Sequence, residues 1–244
     1  SGGVSDFTVE GDEAFLPVTR STNAACFGSF NHQLDGAWKL RSGFRAESDK
    51  VSAQAWTHDG IQPTHPADTR RFAPLALSAG LVRGLPGAWE ASATISRTER
   101  APNMQELYAD GPHLGTNAYE VGSRSLDTEQ AVGLELALAK MKGKVSGSFS
   151  LYYNRFSSYV SQQRNGFGPD LTAAGGADYS ALPRYDYFQI PADLYGAEAK
   201  VVCELGGPKR KLEVFGDYVR GRNHDTGEAL PRLSPGRLGV ALDG

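Results

Sequence analysis

The chain has 244 residues, a formal net charge of −3, 40% hydrophobic residues and 29 glycines. No apolar run approaches the roughly 20 residues of a membrane helix, which excludes a helical membrane protein but not a barrel with polar inward faces. The near-neutral charge gives no support for nucleic-acid binding, where a basic patch is expected.

Alternating apolar and polar residues mark strands along the whole chain. A weak one, from about Ala24 to Asp35, carries Cys26, Phe30 and Leu34 on one side. Trp38, Leu40, Phe44 and Ala46 then alternate with Lys39, Arg41, Gly43 and Arg45, and Leu75, Leu77, Ala79 and Leu81 with Ala76, Ser78 and Gly80. Trp89, Ala91, Ala93 and Ile95 alternate with Glu90, Ser92, Thr94 and Ser96. The clearest signal is the hairpin over residues 127–160. Val132, Leu134, Leu136 and Leu138 share one parity, and after the turn at Lys142-Gly143-Lys144 so do Val145, Phe149, Leu151 and Tyr153, which leaves each strand one apolar face and one of mostly small or polar residues. Three more follow: Tyr195 to Leu205, Leu212 to Tyr218, and a last one beginning at Leu238. Together they predict about nine strands, several longer than the usual about 5–6 residues. A tilted strand crosses a bilayer in about 9–11 residues, so length and alternation predict a wall with lipid on one side.

The connections alternate as well. Short turns are predicted at Asp35-Gly36, Gly84-Leu85-Pro86-Gly87, Lys142-Gly143-Lys144 and Gly206-Gly207-Pro208-Lys209. Long polar connections are predicted over about 49–67, 98–126, 160–184 and 222–235. Compact soluble domains rarely carry several such loops, whereas outer-membrane barrels pair short periplasmic turns with long extracellular loops. The fold class predicted is all-β: an antiparallel up-and-down transmembrane barrel segment. Cys26 and Cys203 fall on the first and seventh strands, too far apart for a disulfide, and are expected as free thiols on the apolar side. Trp38, Trp89, Tyr153, Tyr159 and Tyr218 are expected in aromatic girdles at the interfaces. Lys39, Arg41, Arg45, Glu90, Glu135, Glu198, Lys200, Glu213 and Asp217 are expected to face inward.

The stretch SRTERAPNMQELY from Ser96 to Tyr108 resembles a signature of TonB-dependent outer-membrane receptors. So do Gly122 to Gln130 with Gly133-Leu134-Glu135, Tyr195 to Glu198, Gly216 to Gly221 and Leu230 to Gly239. Ala14 to Thr19, Gly111 to Leu114 and Tyr119 to Gly122 bring the chain nearest to the zinc-uptake (ZnuD-like) receptors. The resemblance implies a barrel of about 22 strands, an N-terminal plug and a short box that binds TonB. Residues 1–244 would then be an internal slice of that barrel, begun in a loop and lacking a secretion signal, and expected to aggregate alone. It also implies a Gram-negative outer-membrane location, contact with outer-membrane lipid, TonB as a partner and no covalent chemistry. The residues agree, with no nucleophile elbow, phosphate loop or Cys-x-x-Cys pair.

Zinc enters as a transported ligand, and no resident cofactor is required. Imidazole and carboxylate are its ligands where thiolates are lacking. His113 is the leading candidate, near Glu106, Asp110 and Glu120; His58, His65 and His224 are weaker ones in other loops. His32 is expected at an interface. Pro102 to Ala109 is expected as a short helix with Pro102 at its first position, and Arg100 and Glu106 as a pair that holds it. A haem or siderophore receptor is the alternative in the same class, and a soluble extracellular β-sandwich used for binding is the alternative in another.

Overall fold

The computed structural model describes residues 2–7, 15–57, 64–206 and 210–243. Its strands are β1 (Gly2–Phe7), β2 (Thr19–Gln33), β3 (Trp38–Ala53), β4 (Trp56–Thr57), β5 (Thr64–His65), β6 (Asp68–Phe72), β7 (Leu75–Leu85) and β8 (Trp89–Arg100). They continue as β9 (Asp110–His113), β10 (Ala118–Val121), β11 (Glu129–Lys140), β12 (Val145–Phe167), β13 (Pro183–Glu204), β14 (Lys211–Asn223) and β15 (Arg237–Asp243). One α-helix, α1 (Met104–Tyr108), lies in the connection after β8. The nine expected strands are β2, β3, β7, β8 and β11 to β15, which pair antiparallel in chain order; β1 adds to the β2 edge.

Register makes the two faces continuous. Directly opposed residues share a face, and one line of pairs runs Leu40, Leu81, Ala93, Leu136, Leu151, Ala197, Tyr218 across seven strands. The adjacent line runs Val82, Ser92, Ala137, Ser150, Glu198, Asp217 on the other face. No second sheet covers the apolar face among the described residues: Leu136 is 48% and Leu151 46% exposed, like most of their row. A β-sandwich would bury these residues in a core, so that alternative is set aside. An apolar surface of this extent, built of strands long enough to cross a bilayer, suits lipid and not water.

Cys26 pairs with Ala46 and Cys203 with Val145 and Leu212; both thiols are free and lie on the apolar face. The polar face carries ion pairs between strands: Arg41 of β3 reaches past β7 to Glu90 of β8 at 3.3 Å, and Lys200 of β13 meets Glu213 of the neighbouring β14 at 2.7 Å. Arg45 pairs with Glu47, which with Asp49 also accepts from Asn23 Nδ2.

The short turns fall at one end. Asp35 Oδ1 accepts from the backbone N–H of Ala37 and Trp38 at 2.7 and 2.8 Å, an Asx turn that needs no glycine at the bend. At this end Arg83 lies over Trp38 at 5.1 Å and the Lys140 ammonium over Trp89 at 5.8 Å, each cation reaching past its ring toward water. Pro208 and its neighbours at 207–209 lie outside the described residues.

The opposite end departs from expectation. Strands run further into the predicted loops, β3 to Ala53, β12 to Phe167 and β13 from Pro183. The connections also carry structure: β6 pairs with β3, β4 with β5, and β9 with β10. β10 in turn runs parallel to β13, an exception to the antiparallel pattern. In β12, two residues, Ser157 and Ser158, oppose only Pro191, a bulge whose partner strand has no N–H to offer there. The bulge changes which way the following residues point. Tyr159 therefore packs edge-on against Phe156 of the polar face, 5.1 Å between centroids, and leaves the girdle assigned to it.

The buried core sits at this loop end. Val51 and Ala53 of β3, Phe72 of β6, Leu107, Tyr108 and Ala109 at α1, and Leu126 and Val160 form one cluster with Leu16. Val51 and Ala53 share the parity of Arg41 and Arg45, so the cluster fills the polar-face side of the wall above the charged strands.

Candidate functional site

The connection from Ala101 to Thr128 supplies most of the loop-end chemistry. Asn103 caps α1: its side chain accepts from the Glu106 N–H at 2.9 Å, and Glu106 Oε2 accepts from the Asn103 N–H at 2.8 Å. This reciprocal box fixes the start of α1 at Met104. Pro102 is thus two residues before the helix and not its first residue, and it is fully buried. The helix also ends sooner than expected, because Ala109 turns extended and leads into β9, which contains Gly111. Arg100 and Glu106 pair as anticipated, through Nη1–Oε2 at 2.8 Å and Nη2–Oε1 at 3.1 Å, while the same guanidinium holds Glu129 of β11 at 3.2 Å. One arginine at the end of β8 thereby ties α1 to the next strand of the wall.

The hairpin β9–β10 carries the second cluster. Glu120 is fully buried at its centre. It accepts from Gln105 Nε2 at 2.7 Å, Thr116 Oγ1 at 2.9 Å and Tyr187 Oη at 3.3 Å, with Arg232 at 3.6 Å. His113 Nδ1 lies 3.0 Å from Glu120 Oε1, and the imidazole stacks on Phe15 with 4.5 Å between centroids. Burial pushes the Glu120 carboxyl up, but the hydrogen bonds from His113, Gln105 and Thr116 outweigh it and hold the group below its ordinary 4.5. Tyr108 is pushed up to about 12 by burial and then by Asp68; burial and their carboxylate partners likewise raise Tyr119 and Tyr187.

The other histidines go elsewhere. His65 Nε2 meets Asp110 Oδ2 at 2.7 Å and stacks against Trp56, and Tyr119 donates to the same Asp110 at 2.9 Å. His224 Nδ1 is 2.9 Å from Asp193, a buried carboxylate that also accepts from Tyr153 at 2.6 Å. His32 is exposed on β2 opposite Leu40. His58 lies outside the described residues. Of the three acids expected beside His113, only Glu120 touches it; Glu106 serves Arg100 and Asp110 serves His65. Among the described residues no group of three or more His, Cys, Asp or Glu side chains is arranged to hold a metal by itself.

Gln105, Tyr187 and Arg232 went unremarked as site residues. Tyr187 is 67 positions from Glu120, and no local spacing announces such a partner. Arg232 lies in the Leu230 to Gly239 stretch, yet its place beside Glu120 depends on the fold of the last long connection. Gly122 has a visible reason: a Cβ there would come within 2.7 Å of the backbone at Leu107 and Tyr108, where the returning chain crosses α1. Its N–H donates to Ala109 O at 2.7 Å at that crossing.

Solved structures share this architecture. The copper transporter OprC is 18% identical, with a TM-score of 0.70 over 92% of this chain. The Serratia marcescens hemophore receptor HasR, solved with HasA and heme, is 13% identical with a TM-score of 0.64 over 88%. The ferric yersiniabactin uptake receptor FyuA from Yersinia pestis is 14% identical with a TM-score of 0.59 over 93%. The chain spans 32%, 36% and 32% of those three chains, about a third of each. The family pattern described as "TonB dependent receptor-like, beta-barrel" matches residues 2–243. With nearly every residue inside that match, the chain belongs to the TonB dependent receptor-like β-barrel family.

Proposed function

We propose that this chain forms part of the membrane wall and loop end of an outer-membrane receptor that takes up a scarce nutrient with energy delivered through TonB, and that the nutrient is zinc. In this reading the protein catalyses no covalent reaction; binding at the loop end is followed by passage along the polar face. Outer-membrane lipid contacts the apolar face, and TonB acts through parts of the receptor beyond these strands.

The observation that carries the zinc reading is the His113–Glu120 pair. Histidines that bind metals usually give their second ring nitrogen to a carboxylate, which fixes the tautomer and the ring's direction. Glu120 does this at Nδ1, and Phe15 holds the ring plane, so Nε2 is the nitrogen left for a ligand. His113 alone is one ligand, and the incoming ion would keep waters or take further groups from the rest of the loop end. The relatives whose names specify copper, heme and ferric yersiniabactin keep a haem or siderophore cargo as the second reading.

Titration calorimetry on the protein carrying this sequence tests the proposal. His113→Ala, which removes a ligand, is expected to weaken zinc binding at least as much as loss of an outer-shell partner does, about tenfold or more. Unchanged zinc affinity removes His113 from the site. A Soret shift on adding haem, with no zinc heat, decides for the second reading.

A further inference from the structure

We propose a binding site for a phosphate-bearing lipid on the outward face of the wall, at its loop end. It rests on the reading of that face as membrane-embedded.

At the loop end of the apolar band, one line of paired residues runs Leu77, Arg97, Val132, Arg155, Asp193, Arg222. The line beneath it is Ala79, Ile95, Leu134, Tyr153, Tyr195, Arg220. Arginine thus enters the outward face where the aliphatic rows end and Tyr153 and Tyr195 begin to mark an interface. Four arginines, Arg97, Arg155, Arg220 and Arg222, share this zone with two carboxylates. Glu99 is 2.7 Å from Arg97; Asp193 is shared by Arg155 at 3.6 Å, Arg222 at 3.3 Å and His224. The arginines outnumber their acids, and the side chains of Arg97 and Arg155 remain 54% and 45% exposed. A positive pair such as Arg97 and Arg155, where the aliphatic rows give way to tyrosines, suits a headgroup layer of anionic phosphates.

Two depressions meet there. A cleft of about 350 Å³ lies between Arg97 and Arg155, lined by Val132 and Pro191. A groove of about 480 Å³ runs down the apolar face past Leu77 and Ile95 to Phe44 and Phe30. Arg97 and Val132 line both. The cleft offers two guanidinium forks to a phosphate, the groove below it offers aliphatic and aromatic walls to an acyl chain, and the shared Arg97 and Val132 join the two so that one molecule can fill both. The occupant is a phosphorylated lipid of the outer leaflet, its phosphate between Arg97 and Arg155 and a chain in the Leu77–Ile95 groove.

The test is native mass spectrometry of the protein carrying this sequence, in detergent, titrated with a phosphorylated lipid and the same lipid dephosphorylated. The wild type is expected to prefer the phosphorylated form. Arg155→Gln and Arg97→Gln are each expected to reduce that preference about fivefold, the effect of one basic residue at a headgroup layer. Arg155→Lys, which keeps the charge, should retain most of it, and Arg83→Gln at the opposite boundary should change nothing. Equal binding of the two lipids by the wild type overturns the site, as does an undiminished preference in both glutamine variants. Strand content by circular dichroism identifies a variant that has not folded. A protein that inserts in bilayers yet shows no headgroup preference overturns the lipid site and leaves the membrane reading standing.

Discussion

Glu120 shows how a single carboxylate organises the loop end. It is buried, and a buried charge survives only where hydrogen bonds replace the water it has lost. Gln105 brings α1 to it, Tyr187 brings β13, and Arg232 brings the connection between β14 and β15. Because its folded pKa lies below 4.5, its charge stabilises the fold at and above that pH, and the contribution is lost as pH falls through the depressed value. Hydrogen exchange along β9 and β10, corrected for intrinsic rates and followed from about pH 6 to about pH 3, is expected to lose protection in that window. Glu120→Gln should remove the pH dependence. Protection that stays flat in the native protein would show that other contacts hold the hairpin.

The paired strands β11 and β12 are the plainest case at the scale of elements. Leu136 opposes Leu151 on the outward face, whereas Ser148 opposes Ala139 and Lys200 on the polar one. In a bilayer, Leu136→Arg is expected to destabilise by about 2–4 kcal/mol near the midplane, and Ser148→Arg by far less. Urea titration of the folded protein in lipid vesicles measures the difference, and equal tolerance at both sites would reverse the inside–outside assignment. These strands were legible from sequence because their signal is local: a period of two, repeated over a dozen residues. The loop strands β4, β5, β6, β9 and β10 are only two to five residues long, too short for alternation to register. Helix α1 was visible through its residues but misplaced, since Pro102 and Asn103 both punctuate helix starts and only the side-chain geometry decides between them.

Across the whole molecule, the wall and the loop end are built by different means. The wall has little buried core of its own and gains its stability from ladders and from whatever covers its apolar face. The loop end has an ordinary core around Leu107 and Leu126, tied to the wall by Arg100 and by the parallel pairing of β10 with β13. Alternation and the order of short and long connections were enough to read the first. Contacts between residues far apart in the chain, which no single-sequence pattern carries, define the second. His113, reached through a family likeness, is in the loop-end network, but of the three acids expected beside it only Glu120 is its partner.

The bulge at Ser157 and Ser158 sets a counting rule for the lineage of this chain. Below it, strands share one unbroken register, so a single residue gained or lost would swap lipid-facing and polar side chains over the rest of that strand. Wall segments can therefore change length only in steps of two, or by acquiring another bulge, whereas the connections beyond them tolerate any number. One alanine inserted after Leu136 is expected to abolish insertion into bilayers, and two alanines to be far better tolerated, as measured by membrane fractionation.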